Sequence, residues 1–240
     1  IRVRALSTPA NTRIALTVPA SPSLHSPMSP TLGSLPRLAL IGVSGYGVVY
    51  LNLVRDALRR KIVTLNAAVI INPQEVPDIV AELQAGGTTI YHDTETFFAQ
   101  EVGRINLCLI PVGIHWHARL TIAALHAGMN VLIEKPLAGS LADIAAIRRA
   151  ENASKRWVAV GFQDLYMPEA RWLKSRLLDG MIGQLESIRV IGLWPRNRAY
   201  FARNHWAGRI RADGAAVLDS PLNNAFAHFV NLALFFTGPS

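Results

Sequence analysis

The chain has 240 residues, half of them hydrophobic, and a formal net charge of +8 at pH 7. This length accommodates one large or two small domains with an ample core, and no apolar run of about 18 residues predicts a transmembrane helix. The basic charge is compatible with nucleic-acid binding, but the sequence has no extended Lys/Arg run and no nucleic-acid motif. An anionic cofactor or a small-molecule substrate explains the charge equally well, and we expect neither a nucleic-acid nor a membrane partner.

The first 36 residues are rich in Pro, Ser and Thr and contain no acidic residue. This composition predicts a disordered leader. Because the chain begins with Ile, we interpret Met28 as the true start. The single cysteine, Cys108, lies in an apolar run and is expected to be a buried thiol, which is consistent with a reducing, cytoplasmic location.

The folded part is predicted to begin with a strand, a glycine-rich turn and a helix. The strand covers residues 38–43, and Gly42, Gly45 and Gly47 allow a sharp turn before the helix. This arrangement predicts a phosphate or pyrophosphate site at the helix N-terminus. The middle glycine of the G-x-G-x-x-G pattern is replaced by Ser44, so an ordinary tight turn of another α/β protein remains the alternative.

Strands and helices then alternate every 20–30 residues, which is typical of a parallel sheet covered on both faces. The second strand ends before Asn72, where a dinucleotide-binding fold carries an acidic residue that contacts the ribose. An Asn can hydrogen-bond the ribose, and residues 73–76 contain no Arg or Lys to accept a 2′-phosphate. We therefore favour NAD over NADP. The predicted strands cover residues 38–43, 65–71, 88–91, 106–112 and 130–133, and the helices between and after them cover 47–61, 77–86, 94–101, 116–128 and a segment that follows Ser140.

Five motifs occur in order: GVSGYG at 42–47, PVGIH at 111–115, AALHAGMNVLIEKPLAGSLAD at 123–143, GFQDLYMPE at 161–169 and LLDGMIGQLESIRV at 177–190. Together they resemble the Gfo/Idh/MocA family of NAD(P)-dependent oxidoreductases. The resemblance implies a Rossmann-type doubly wound parallel sheet at 37–160 and the start of an α+β open-sheet substrate domain at 161–240. Helices are predicted at 168–180 and 225–236, and a strand at 185–194. Family members continue further, so we expect a fragment of a homo-oligomeric protein.

The resemblance also assigns residues to the cofactor. The pyrophosphate is expected on the amides of residues 44–47, and the ribose at Asn72. Pro111 and His115 match the turn that lines the nicotinamide, and Glu134 is expected to orient Lys135 or to contact cofactor hydroxyls. The expected cofactor-binding residues are Gly42, Ser44, Gly45, Tyr46, Gly47, Asn72, Pro111, His115 and Glu134.

Lys135 of the Glu-Lys-Pro signature is the predicted catalytic residue. Oxidation of an alcohol requires removal of the hydroxyl proton and stabilisation of the developing oxyanion. A lysine ammonium stabilises the oxyanion, and a neutral lysine amine accepts the proton. The alternative is that Glu134 and Lys135 form a solvated pair at a strand end.

A second catalytic residue is expected from the acid-x-x-x-His pair common in the family. Counting back from Gly238 places the histidine at His228 and the acid at Asn224. Counting forward from Gly214 places the acid at Asp219 but the histidine at Asn223. We prefer His228 as the acid/base group, with a hydrogen-bonded core histidine as the alternative.

Arginine and aromatic residues alternate in the segment 194–209. This pattern suits a sugar, or a substrate that carries carboxylate or phosphate, but also a surface loop or a subunit interface. The candidate substrate-binding residues are Lys135, Arg196, Asp219, Asn223 and Asn224.

We predict no metal site, because His115, His117 and His126 do not share one helix face and no carboxylate completes the set. The sequence therefore predicts an oxidoreductase that transfers hydride between a nicotinamide cofactor and a sugar, cyclitol or related polyol. One alternative is a non-catalytic dinucleotide-binding protein of the same fold. A more distant one is an α/β methyltransferase, which the Glu-Lys-Pro signature disfavours.

Overall fold

The computed structural model describes residues 35–238. Six parallel strands form one sheet in the order β3-β2-β1-β4-β5-β6. This order defines a Rossmann-type doubly wound sheet and confirms the predicted fold class. The expected leader and the predicted start at Met28 fall on residues outside the described range. The strands are β1 (Arg37–Ile41), β2 (Thr64–Val69), β3 (Thr89–Tyr91), β4 (Leu107–Ile110), β5 (Asn130–Ile133) and β6 (Val158–Val160).

Helices connect the strands and cover both faces of the sheet. Successive strand residues point to opposite faces, so Ala39 and Ile41 join one buried cluster while Leu38 and Leu40 join the other. Cys108 is fully buried, as predicted, and burial raises the pKa of its thiol. The helices are α1 (Gly47–Arg59), α2 (Pro77–Ala85), α3 (Thr94–Gln100), α4 (Ile114–His126) and α5 (Leu141–Ser154).

Strand β1 lies between β2 and β4, which are reached by connections of opposite direction along the sheet. This position is the topological switch point, where the carboxyl ends of the strands leave a crevice for a ligand. Because all six strands are parallel, the segments that follow β1, β2, β4 and β5 emerge at the same edge. These are the segments that contain the predicted site residues up to Lys135.

The described residues divide into two compact units. The sheet unit consists of residues 35–161 and 197–224, and the helical unit consists of residues 162–196 and 225–238. The segment 197–224 thus packs with the Rossmann fold. Beyond β6 the elements are α6 (Pro168–Leu178), α7 (Arg198–Ala202), a hairpin of β7 (Arg211–Ala212) and β8 (Ala215–Ala216), a π-helical turn (Pro221–Ala225) and α8 (Ala227–Thr237).

The prediction of a strand at 185–194 is wrong. The backbone there is irregular, with a single bridging residue at Arg189. Among the described residues of the helical unit there is no strand to pair with this segment. A single bridge without a continuous ladder of hydrogen bonds does not stabilise a strand. The short strand β6 was not predicted. None of the described helices is both long and apolar enough to cross a membrane.

Candidate functional site

The glycine turn after β1 brings the chain tightly back onto itself. Gly42 has φ +88° and Gly45 has φ +55°, the left-handed conformations that glycine adopts without strain. Gly47 is required for a different reason, since a Cβ there would lie 2.6 Å from the carbonyl oxygen of Gly42. The first turn of α1 therefore packs directly against the end of β1.

The amides of this turn are the predicted contacts for a pyrophosphate. Ser44, Gly45 and Tyr46 are exposed. The N–H of Gly47 donates to the carbonyl oxygen of Ser44 at 2.9 Å. By contrast, the N–H groups of Ser44 and Gly45 donate to no carbonyl of the described chain. Two exposed amides next to a helix N-terminus fit an anionic group.

Asn72 follows β2 at the position predicted to contact the ribose. Its Nδ2 donates a hydrogen bond of 3.0 Å to Oε1 of Glu75, and both residues are exposed. A carboxylate is therefore present beside the predicted ribose position, three residues later than expected. The prediction missed Glu75 because it required the acid directly at the strand end.

The turn between β4 and α4 lies beside the glycine turn. Pro111 is buried, and its Cγ lies 3.8 Å from the place that a Cβ of residue 47 would occupy. The imidazole of His115 is directed at Asp213, with Nε2 3.2 Å from Oδ2. Burial lowers the pKa of His115, while the nearby Asp213 carboxylate opposes that shift.

His117 has a structural position in the same turn. It is fully buried, with Nδ1 2.7 Å from the carbonyl oxygen of Pro136 and Nε2 3.1 Å from that of Val112. The ring thus links the turn after β4 to the segment after β5. Burial lowers the pKa of His117. His126 lies exposed in the last turn of α4, away from His115 in the first turn.

Glu134 and Lys135 follow β5 directly, and Lys135 precedes a cis bond to Pro136. Glu134 is only 8% exposed, and its Oε1 accepts a 2.8 Å hydrogen bond from the Tyr50 hydroxyl. Its Oε2 accepts the backbone N–H of Lys135 at 3.2 Å. Burial raises the pKa of Glu134, and its hydrogen bonds and the Lys135 charge oppose that effect. Glu134 is therefore no solvated surface carboxylate.

The Lys135 ammonium contacts the segment that precedes α8. Its Nζ donates to the backbone carbonyl oxygen of Asn224 at 3.1 Å and also to the Oδ1 of that residue. Asn224 lies in the π-helical turn, a local structure that is frequent at functional sites. Asn224, the residue that the resemblance aligns with an acid, thus contacts the predicted catalytic lysine.

The remaining sheet-unit candidates hold this segment in place. Asp219 Oδ1 accepts a 2.6 Å hydrogen bond from Asn224 Nδ2, and its Oδ2 accepts one of 2.7 Å from the N–H of Gly208. Asn223 bonds locally, with Nδ2 donating to the carbonyl oxygen of Leu218 at 3.1 Å. Asp219 therefore holds the Asn224 side chain in place. The Asn223 side chain is directed at the backbone of residue 218.

Two candidates lie in the helical unit. His228, in the first turn of α8, has its Nδ1 3.7 Å from Oδ2 of Asp164. Its ring also makes an edge contact with Phe162, with centroids 5.8 Å apart. Arg196 stacks over the Trp194 ring at 4.2 Å. Asp164 is part of the GFQDLYMPE motif, yet only the fold identifies it as the acidic neighbour of His228.

The sequence matches the GFO_IDH_MocA family model, described as an oxidoreductase family with an NAD-binding Rossmann fold, over residues 36–162. Inositol 2-dehydrogenase of Pseudomonas savastanoi is 31% identical over 149 residues, which are 60% of this chain and 43% of that protein. Inositol 2-dehydrogenase of Corynebacterium glutamicum is 25% identical over 154 residues, 64% of this chain and 44% of that protein. The aligned region thus spans less than half the length of these relatives.

Solved structures share the fold. The WlbA dehydrogenase of Bordetella pertussis, solved in complex with NADH and UDP-GlcNAcA, has a TM-score of 0.70 at 20% identity, covering 88% of this chain and 57% of that one. An inositol dehydrogenase homolog of Azotobacter vinelandii, solved with NADH and myo-inositol, has a TM-score of 0.55 at 25% identity, covering 63% and 41%.

Proposed function

Since the chain belongs to the Gfo/Idh/MocA family of NAD-binding oxidoreductases, we propose that it interconverts a hydroxyl and a carbonyl group of a sugar, cyclitol or related polyol. The observation that carries this proposal is the Lys135 ammonium, which Asn224 holds at the carboxyl edge of the sheet. The inositol 2-dehydrogenases among the relatives support the substrate class.

The glycine turn fits a dinucleotide. The exposed amides of Ser44 and Gly45 are available to phosphate oxygens. The close approach of Gly47 to the carbonyl of Gly42 leaves no room for a Cβ in the cradle. When bound, NAD supplies the hydride acceptor of the reaction. The protein binds and orients it through this turn, and the turn of Pro111 and His115 continues the same edge.

We propose that the protein uses NAD in preference to NADP. The Glu75 carboxylate, hydrogen-bonded to Asn72, can accept hydrogen bonds from ribose hydroxyls. The same negative charge repels a 2′-phosphate. Residues 73–76 contain no basic side chain that offsets this repulsion.

Lys135 is proposed as the catalytic residue. Its ammonium donates hydrogen bonds, so a substrate oxygen that replaces or joins the Asn224 oxygens is held and its developing negative charge is stabilised. Glu134 positions this lysine through the backbone N–H of Lys135, and Tyr50 positions Glu134. Both groups are buried, which fixes their geometry before substrate binds.

His228 is proposed as a second group that handles the proton. Oδ2 of Asp164 lies 3.7 Å from its Nδ1, so an acidic side chain is close to the ring. Arg196, Asp219, Asn223 and Asn224 stay predicted substrate contacts, with Asp219 acting through Asn224. A homo-oligomer of the complete protein is part of the proposal.

The Lys135→Ala variant tests the proposal. We expect turnover of NAD⁺ with myo-inositol, or with the best of a panel of sugars and polyols, to fall about 100- to 10,000-fold. NADH affinity should change by less than about twofold, because Lys135 is proposed to act on the substrate and donates its hydrogen bonds to Asn224. Lys155→Ala, at an exposed position after α5, is the matched control.

A folded wild-type chain that binds NADH and turns over no compound of the panel would contradict the proposal. It would support a non-catalytic dinucleotide-binding protein. One observation favours that second function: Asn224, which cannot exchange protons at neutral pH, occupies the position of the family's acid.

A further inference from the structure

Three metal-ligating side chains that are distant in the sequence meet in the sheet unit. Nε2 of His115 and Nε2 of His205 lie 3.2 Å and 2.9 Å from the same oxygen, Oδ2 of Asp213. One ligand atom from each residue falls within 4.8 Å of the others. We propose that His115, His205 and Asp213 form a binding site for a divalent transition-metal ion such as Zn²⁺.

The spacing of these atoms suits such an ion. Zinc binds imidazole nitrogen and carboxylate oxygen at about 2.0–2.2 Å, so neighbouring ligands of a tetrahedral site lie roughly 3.3 Å apart. The two nitrogen-to-oxygen distances are already close to that value. The two imidazoles select zinc and its transition-metal neighbours over Mg²⁺ and Ca²⁺, which prefer oxygen ligands throughout.

One ligand is buried and the other two are accessible. The His115 side chain is 4% exposed. The His115 ring and the Trp206 indole both lie next to Gly113. The His205 and Asp213 side chains are 62% and 52% exposed. An ion can therefore reach the cluster from solvent, and a water molecule can complete its coordination.

The buried imidazole is also incompletely satisfied by protein contacts. Nδ1 of His115 has no hydrogen-bond partner among residues 35–238. Nε2, the nitrogen that lies 3.2 Å from Oδ2 of Asp213, is the atom that His115 offers to an ion in this arrangement.

The backbone presents the carboxylate at a fixed place. Asp213 occupies the tight turn between β7 and β8 with φ +48°, followed by Gly214 with φ +76°. His205 lies shortly after α7, and His115 in the first turn of α4. A bound ion would thus fasten both parts of the segment 197–224 to the Rossmann fold. The same segment ends at Asn224, which contacts Lys135.

Titration of the chain, purified without a histidine tag, with Zn²⁺ by calorimetry tests the site. We expect one ion per chain, and His205→Ala and Asp213→Asn should each weaken the affinity about tenfold or more. His126→Ala, an exposed histidine on the same helix as His115, should leave it unchanged. Co²⁺, added in a parallel titration, should give the visible absorption of a low-symmetry site and lose it in the same two variants.

The proposal is overturned if the wild type shows no saturable binding, or if His205→Ala and Asp213→Asn bind Zn²⁺ as tightly as the wild type. Circular dichroism and NADH binding of both variants establish that they are folded. Because NADH affinity is read separately, failure of the metal site is distinguishable from failure of the oxidoreductase proposal.

Discussion

The sheet unit and the helical unit bury their apolar side chains to different extents. In the sheet unit both faces of the sheet are covered by closed clusters, with Leu40 and Cys108 completely buried. In the helical unit only Lys174, Leu232 and Phe236 are buried among the described residues, while Leu193 is 94% exposed. The sheet unit is therefore held together by its own contacts, whereas the helical unit presents apolar side chains to solvent within this chain.

The comparison predicts a large difference in sensitivity to truncation of leucine. Leu40→Ala should lower the free energy of unfolding by about 2–5 kcal/mol, because it leaves a cavity between β1 and the helices. Leu193→Ala, the matched change in the helical unit, should alter it by less than about 0.5 kcal/mol. Urea denaturation monitored by circular dichroism measures both. Equal losses in the two variants would mean that the helical unit has a core of its own.

A smaller effect is expected inside the sheet unit at Gly47. Gly47→Ala places a Cβ 2.6 Å from a carbonyl oxygen, so the turn must open at a cost of about 1–3 kcal/mol. NADH affinity should fall with it. Gly128→Ala is the control, because Gly128 has φ +79° with open space around it and lies after α4. It should lose about 1–2 kcal/mol through backbone strain while NADH affinity stays unchanged. Retained affinity in Gly47→Ala would remove the glycine turn from the cofactor site.

The same contrast explains which features the sequence predicts. Strands β1, β4 and β5 are apolar runs buried on both faces, so local pattern and tertiary burial agree, and the predicted ends of these strands lie within two residues of the observed ones. The segment 185–194 carries a strand-like pattern too. It fails to form a strand because strand formation needs a partner that lies beyond local sequence.

The site divides in the same way. The glycine turn and the Glu-Lys-Pro segment are local patterns, and the structure places both at the carboxyl edge of one sheet. The partners of their side chains come from other elements: Tyr50 reaches Glu134, and Asn224 reaches Lys135. Such contacts depend on three-dimensional packing. They can be predicted from the sequence only where a motif with a known function already contains the residues.

Glu134 should make stability depend on pH. Burial raises its folded-state pKa above the ordinary value of 4.5. As the pH rises from 4.5 through the folded-state pKa, the unfolded chain loses the proton first, so this carboxyl group lowers the free energy of unfolding over that window. Glu134→Gln should remove this loss. Tyr50→Phe should extend it to higher pH, because it deletes a hydrogen bond that opposes the raised pKa.

Urea denaturation at a series of pH values checks this prediction, with the exposed Glu186→Gln as the control. If the free energy of unfolding of the wild type and of Glu134→Gln changed in parallel with pH, the prediction would be wrong. The Glu134 carboxylate would then be charged in the folded chain without lowering its stability.

The smallest expected effect concerns the choice of cofactor. Glu75→Gln should tighten NADPH binding by about two- to fivefold, the range expected for one exposed charge contact. NADH affinity should change little, because the amide still hydrogen-bonds the ribose. Asp78→Asn, an exposed acid in the first turn of α2, controls for a general effect of charge. Fluorescence titration with both cofactors measures the ratio of the NADH and NADPH affinities. An equal rise in NADPH affinity in the two variants would show that Glu75 has no specific role in cofactor recognition.

The most direct test of the central claim, that the carboxyl edge of the sheet unit is a working NAD site, is a fluorescence titration of the purified chain with NADH and NADPH. The account predicts saturable, micromolar binding of NADH by one site per chain and weaker binding of NADPH. A folded sample that binds neither cofactor would contradict the account, because the glycine turn, Asn72 and Glu75 would then form a turn without a ligand.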